Sequence, residues 1–114
     1  MELSTDIWVA ALIRRAQLGG AFATVGMKGD ARAGSVLVKA LNQRTGEARL
    51  YAEATRGDGE RFWMQPRPGE AERDLDQYAE RTRRIDPDVW LVEIEDSQGR
   101  HFLTEAVEGE RSPS

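Results

Sequence analysis

Apolar residues recur in two stretches at helical spacing. Residues 7–18 are apolar on nearly every side of their first two turns, so this helix needs burial on more than one face. Asp6, Ser4 or Thr5 can cap it, and two glycines follow it. Residues 70–85 carry a single apolar stripe, with acidic first turns and basic last turns that complement the helix dipole. That stripe consists of Leu75, Tyr78, Thr82 and Ile85.

Shorter runs rich in Val, Leu and aromatic residues predict strands. They cover residues 21–28, 35–41, 48–54, 61–65, 89–95 and 100–103. The turn at 43–46 ends in glycine, which suits a type I turn followed by a left-handed bulge residue. One face of this hairpin is then wholly apolar, through the pairs Val36 with Ala54, Val38 with Ala52 and Ala40 with Leu50. The turn at 96–99 repeats the pattern and sets Glu95 opposite His101.

These elements predict an α+β fold in the order α-β-β-β-β-α-β-β. We expect a mostly antiparallel sheet of about five to six strands, with two helices packed on one face. Residues 1–104 form a single domain in this prediction, and the polar residues 105–114 form a flexible C-terminal tail. Residues 28–34 are predicted to be a flexible connection, because their two glycines lack the lysine and the following helix of a phosphate-binding loop.

Composition excludes several kinds of site. The chain has 114 residues, no cysteine and a single histidine, so disulfides, thiolate zinc sites and centres with two histidines are excluded. A site for Mg²⁺ or Ca²⁺ made of oxygen ligands stays open, but no cofactor is predicted. The net charge of −4 argues against general nucleic-acid binding, although residues 1–52 carry seven basic and four acidic side chains.

The first residues predict neither a signal peptide nor a membrane span. Residues 1–6 are acidic, whereas a signal peptide begins with a basic region. The apolar run that follows ends at Ile13, far short of the roughly 20 residues that a membrane-spanning helix needs. We therefore expect a cytoplasmic protein without membrane contact, and the absence of cysteine agrees with that.

Several short motifs resemble one known family. They are Ile7-Trp8-Val9 with Arg14-Arg15, Lys28-Gly29-Asp30 with Gly34, the run Asp86-Pro87-Asp88-Val89-Trp90, and Gly99-Arg100-His101-Phe102-Leu103. Together they resemble the domain of unknown function 1491 family, which consists of small alphaproteobacterial proteins, over about residues 2–103. The resemblance implies a single bacterial cytosolic domain. The family has no assigned activity, so the resemblance carries no function across.

An acidic cluster near the C-terminus is the first candidate site. It consists of Asp86, Asp88, Glu93, Glu95 and His101. Glu93 and Glu95 point to the same side of one strand, about 7 Å apart. His101 across from Glu95 suits a general base, and the carboxylates suit Mg²⁺. The structural alternative is a solvated sheet face with one Glu–His pair, and this alternative is favoured.

A second candidate combines basic and aromatic residues. Lys39, Arg49 and Tyr51 share a face of the predicted hairpin, and Arg14 and Arg15 extend it. Such groups can bind a phosphate or single-stranded nucleic acid, although one aromatic residue is a poor stacking platform. Amphipathic side chains that cover the second face of a sheet give the same pattern, and this interpretation is favoured.

The adjacent aromatics Phe62 and Trp63 point opposite ways on a strand, so one of them suits an exposed interface anchor. We therefore predict a non-enzymatic module that recognises a protein partner or itself, with contacts through Lys39, Arg49, Tyr51 and Trp63. The alternative is a small metal-dependent or acid/base enzyme that uses Glu93, Glu95 and His101. A weaker alternative is RNA binding through the basic N-terminal half.

Overall fold

The computed structural model describes residues 3–110 and shows a five-stranded sheet with one helix on each face. Helix α1 spans Thr5–Leu18 and helix α2 spans Glu72–Ile85. The strands are β1 Phe22–Met27, β2 Val36–Asn42, β3 Ala48–Thr55, β4 Arg61–Met64 and β5 Trp90–Asp96. The α+β class and the two helices predicted from the sequence are confirmed.

The strands lie in the order β1-β5-β2-β3-β4, so the last strand in sequence sits between the first two. β5 pairs in parallel with β2, and the other three neighbouring pairs are antiparallel. The sheet is therefore mixed, and its central pair joins strands that are distant in sequence. A parallel pair needs a crossover connection, which β3, β4 and α2 provide here.

The two helices cover opposite faces of the sheet, which corrects the prediction that both pack on one face. α1 buries Val9, Leu12 and Ala16 in a core that contains Val38 and Val92. α2 buries Leu75 and Ala79 against Leu37, Leu50 and Leu91. The first five residues of β2 are all buried, as expected for a strand covered on both sides.

The β2–β3 hairpin has a register one residue away from the predicted one. Leu50 pairs with Lys39 rather than with its predicted partner. The connection is a four-residue loop, 43–46, because the Asn42 N–H donates to the Glu47 carbonyl oxygen at 2.8 Å. The Asn42 Oδ1 also accepts two backbone N–H groups of this loop. A wholly apolar face is not formed, because the observed register places Arg49 opposite Ala40.

The strand predicted over residues 100–103 does not form. β5 already pairs with β1 on one side and with β2 on the other, so no edge is left for a hairpin partner. The chain leaves the sheet instead, as Arg100 donates to a carbonyl oxygen at the end of α1 and Phe102 adopts φ 60°. The predicted pairing of Glu95 with His101 is therefore wrong, and Glu95 pairs with β1.

Residues 105–110 lie along the outer edge of β4. The Trp63 N–H donates to the Ala106 carbonyl oxygen at 2.9 Å, and the Glu108 N–H donates to the Trp63 carbonyl oxygen at 2.8 Å. Val107 lies between these two contacts, and its side chain is buried in the α1-side core. The sequence predicts a flexible tail over residues 105–114, but residues 105–110 are hydrogen-bonded to β4. Residues 111–114 lie outside the part of the chain that the structure describes.

Candidate functional site

Two of the segments that carry the family resemblance, residues 28–34 and 86–90, pack against each other. The Asp30 N–H donates to the Asp88 carbonyl oxygen at 3.0 Å, and the Trp90 Nε1–H donates to the Asp30 carbonyl oxygen at 2.7 Å. A methyl group added at Gly29 or Gly34 would collide with the same Asp88 oxygen. The predicted flexible connection is therefore a packed segment, and its glycines allow two backbones to approach closely.

This segment also caps α1. The carbonyl oxygens of Arg32 and Ala31 accept the N–H groups of Thr5 and Asp6 at 3.2 and 2.9 Å. These first amides of a helix have no partner within it, so partners from another segment stabilise the end. Asp86 and Asp88 serve local structure, since the Asp86 Oδ1 accepts the Asp88 N–H.

A second structural cluster surrounds Asp96. Its buried carboxylate accepts the backbone N–H groups of Gln98 and Arg100, and the Arg100 guanidinium donates to both of its oxygens at 2.9 and 3.0 Å. The hydrogen bonds from Arg100 lower the pKa of Asp96 to about 2, although burial acts in the opposite direction. Arg15 of α1 donates to the Phe102 carbonyl oxygen at 2.8 Å, which fastens this segment to the helix.

The predicted catalytic cluster is divided between the two faces of the sheet. Glu93 and Glu95 line a cavity of about 180 Å³ on the α2 side. His101 lies on the other face, where its ring contacts Tyr51 of the α1-side core. Within residues 3–110, no group of three or more histidine and carboxylate side chains is placed to hold a metal ion. The structure therefore does not bring Glu93, Glu95 and His101 together.

Lys39 is buried between the sheet and α2. Its ammonium lies 2.8 Å from the Glu72 Oε2, 2.6 Å from the Asp76 Oδ1 and 3.2 Å from the Glu93 Oε1. Burial would lower the pKa of Lys39, but the three carboxylates together raise it. Lys39 thus stays charged, and its ammonium is fully paired with carboxylates. It lies on the face of the sheet opposite Tyr51.

A groove of about 610 Å³ opens beside Tyr51 and His101. The Nδ1 of His101 accepts the Leu103 N–H at 2.9 Å, so we place the proton on Nε2, which donates to Glu110 at 3.1 Å. Burial, helped by Glu110, raises the pKa of Tyr51 to about 12, so the phenol stays neutral. Both groups are therefore held in contacts within the chain.

The residues predicted as binding contacts do not form one surface. Trp63 is 0% exposed, stacks on Trp8, and donates from Nε1 to Glu105 at 3.1 Å. Tyr51 is also buried, whereas Arg49 is exposed and bound to Glu47. The exposed anchor that the sequence predicts at 62–63 is therefore not Trp63, and a binding role for these residues stays a prediction.

The apolar surface of the molecule is concentrated at α1 and β1. Four large apolar side chains of these two elements are between 41% and 76% exposed, namely Ile7, Leu18, Phe22 and Val25. Ala10 and Ala11 are also exposed on α1. We call these six residues, which lie on both faces of the sheet at its β1 edge, the α1–β1 surface. The sequence indicates the α1 part of this surface: α1 is apolar on nearly every side, and a sheet can bury only one side of a helix.

The two edges of the sheet differ in whether another segment of the chain hydrogen-bonds to them. Residues 106–108 hydrogen-bond to the outer edge of β4. β1 forms the opposite edge, and no segment of residues 3–110 other than β5 pairs with its backbone. β1 reads Phe-Ala-Thr-Val-Gly-Met, without a charge or a proline. An uncharged open edge exposes backbone donors and acceptors to another strand, which proteins usually prevent.

Fold and surface together define a small α+β protein with a mixed sheet and one edge strand, β1, that pairs only with β5 within residues 3–110. The same residues contain no helix that is long and apolar enough to cross a membrane. The model of the family "Protein of unknown function (DUF1491)" matches residues 3–104, and the chain belongs to this family.

Solved structures of relatives share the fold. The chain is similar to a DUF1491 family protein from Caulobacter crescentus CB15, with 76% identity over 94% of this chain and 100% of that chain, and a TM-score of 0.91. It is also similar to a protein from A. tumefaciens, with 30% identity, 99% and 100% coverage, and a TM-score of 0.82. Both organisms agree with the alphaproteobacterial distribution that the resemblance implies. No curated protein matches the chain.

Proposed function

We propose that the protein is a non-enzymatic, cytoplasmic interaction module that docks a protein partner on the α1–β1 surface. One observation supports the proposal most strongly. α1 and β1 comprise 14 and 6 residues, yet they hold four of the seven large apolar side chains that are exposed within residues 3–110. Exposed apolar side chains on and beside an open strand are typical of a protein–protein contact.

The enzyme alternative lacks a comparable observation. An acid/base mechanism through Glu93, Glu95 and His101 needs the three groups within reach of one substrate. The two glutamates lie on the α2 side and the histidine on the α1 side, with the sheet between them. The separation of these residues therefore favours the interaction module.

The hypothesis of RNA binding through the basic N-terminal half also loses support, because basic side chains that it needs are bound within the chain. The ammonium of Lys39 is enclosed by three carboxylates, and the guanidinium of Arg15 donates to the backbone of residue 102. Both groups serve contacts within the chain, whereas phosphate binding needs basic groups that face solvent.

The proposal is tested by comparing three immobilised proteins in a capture experiment from a lysate of the source organism. They are the wild type, the double variant Ile7→Arg/Leu18→Arg, and the matched control Ile85→Arg. Ile85 is 86% exposed, but it lies on α2. Circular dichroism confirms that all three are folded, and quantitative mass spectrometry identifies what each retains.

We expect the wild type and the Ile85→Arg control to retain the same protein, and the double variant to retain at least about tenfold less of it, since charges in an apolar interface cost more than 1 kcal/mol each. Retention by all three proteins alike would contradict the proposal, because the captured protein would then not use the α1–β1 surface. Absence of any retained protein with the wild type, including further copies of the chain itself, would also contradict it.

A further inference from the structure

We propose that the open edge of β1 binds an extended, basic segment of a partner protein, which pairs with residues 22–25 and directs arginine side chains towards Glu93 and Glu95. The inference rests on the proposed function and deepens it by naming the chemistry of the partner. An extended segment that adds a strand to a sheet gains affinity from its backbone and specificity from its alternate side chains. The surroundings of β1 on each face of the sheet therefore define which side chains fit.

The regular part of the open edge is residues 22–25. These residues pair in order with β5, and the register shifts beyond Val25. Side chains alternate between the two faces of a strand. Phe22 and Thr24 line the cavity on the α2 side, while Ala23 belongs to the α1-side core. A segment paired with this edge therefore presents one set of side chains to the α2 side and the alternate set to the α1 side.

A carboxylate lies over the edge strand on the α2 side. A Cβ added at Gly26 would be 3.0 Å from the Oε2 of Glu93, so this oxygen of a β5 side chain reaches across to β1. The Oε1 of Glu93 faces Lys39 at 3.2 Å, and Oε2 lies on the side of β1. A strand paired with β1 would run about 5 Å from it. A guanidinium on that strand can therefore donate to Oε2, and hydrogen bonds between charged groups are the stronger ones.

Carboxylates outnumber cations beside this edge. Lys39 contacts three carboxylates, and a fourth, that of Glu95, lines the same cavity. The group of four carboxylates and one ammonium thus has an excess of three negative charges. The whole chain has a net charge of −4. A basic partner is complementary to both charges, and a second copy of this chain is not.

The side chains of β1 add a preference on each face. Phe22 pairs with Glu95 across β1 and β5, and its ring is 69% exposed. A guanidinium beside them can stack on the ring while it donates to the carboxylate. On the α1 side, Val25 is 41% exposed and its neighbour on that face is Ala23, so an apolar side chain fits there. The partner segment should therefore alternate arginine with apolar, β-branched residues.

Two synthetic peptides of identical composition test the proposal. Thr-Arg-Val-Arg-Val-Arg-Thr alternates the two kinds of side chain, and Thr-Arg-Arg-Arg-Val-Val-Thr groups them. Fluorescence anisotropy measures the binding of each labelled peptide to the wild type, to Glu93→Gln/Glu95→Gln and to the matched control Glu60→Gln/Glu108→Gln. Glu60 and Glu108 are exposed and lie beside β4, at the opposite edge of the sheet. Circular dichroism confirms that the variants are folded.

We expect the alternating peptide to bind the wild type and the control variant alike, and Glu93→Gln/Glu95→Gln at least about tenfold more weakly, because charged hydrogen bonds are lost. The grouped peptide should bind the wild type at least about tenfold more weakly than the alternating one, since as a strand it cannot place all its arginines on one face. Equal effects of the two double variants overturn the proposal.

The peptide comparison needs only the wild type, so it decides the question even if a variant fails to fold. Equal binding of the two peptides overturns the proposal, because charge attraction alone then explains the binding. Binding of neither peptide overturns it too. If capture from the lysate still depends on Ile7 and Leu18 in either case, the proposed function stands and only the chemistry assigned to the partner is wrong.

Discussion

At the scale of single residues, Trp63 joins three segments of the chain. It stacks on Trp8 of α1 with ring centroids 5.5 Å apart, belongs to β4, and donates from Nε1 to Glu105. The guanidinium of Arg61 covers the outer side of Trp8 at 5.0 Å. A side chain with contacts to a helix, a strand and the 105–110 segment contributes to the packing of all three.

Replacement of Trp63 by Ala should therefore lower the free energy of unfolding by about 3 to 5 kcal/mol, because a large buried aromatic side chain is removed. Urea unfolding followed by circular dichroism measures the change. Met64→Ala is the control, since the neighbouring Met64 is half exposed and should cost much less. Equal stability of Trp63→Ala and the wild type would show that Trp63 is not part of the core.

The Asp96–Arg100 pair makes a pH-dependent contribution to stability. The pKa of Asp96 is about 2 in the folded protein, below its usual value of 3.8, chiefly because Arg100 donates to it. A lowered pKa stabilises the fold above the unfolded value, and this stabilisation is lost as the pH falls through the folded value. Asp96→Asn should thus be less stable than the wild type at pH 7, with a difference that shrinks between about pH 4 and pH 2. Unfolding midpoints that differ equally at pH 7 and pH 2 would contradict this.

Only part of the candidate site follows from local sequence. The alternation along β5 predicts that Glu93 and Glu95 share a side, and the cavity on the α2 side confirms it. The position of His101 depends on whether β5 has a free edge, which is decided by β1 and β2 pairing with it from elsewhere in the chain. The choice between Phe62 and Trp63 as the buried aromatic likewise depends on contacts with distant segments.

At the scale of elements, the 28–34 segment stabilises the ends of α1 and β5 together. Gly34→Ala should lower the free energy of unfolding by about 1 to 3 kcal/mol, because the new methyl group meets the Asp88 carbonyl oxygen, which belongs to the backbone. Gly57→Ala is the control, as an added Cβ there meets no atom within 4 Å and its φ is not in the left-handed region. Thermal unfolding of both variants measures the effect. Equal stability of the two would show that the segment is loosely packed.

Elements with a strong local period are predicted well, and their arrangement is not. The helices predicted over 7–18 and 70–85 are found at Thr5–Leu18 and Glu72–Ile85. The hairpin register is missed because Asn42 closes a four-residue loop with its own side chain. The two-sided burial of β2 is also missed: its nearly continuous apolar run is typical of a strand with a helix on each face, whereas one apolar face was expected.

At the scale of the whole molecule, the sheet has one closed edge and one open edge. Residues 105–110 cover β4, whereas β1 remains open beside a helix that exposes apolar side chains. This asymmetry is the basis of the proposed function. It predicts that β1 becomes protected from solvent only when the protein associates, while β4 is protected in the single chain.

Amide hydrogen exchange of the wild type, with and without the protein that it captures from the lysate, tests this claim most directly. We expect the outward-facing amides of β1 to exchange more slowly in the complex, while the amides of β4 keep the same rate. Exchange of the β1 amides at one rate with and without the captured protein would contradict the account, because the open edge would then not take part in docking.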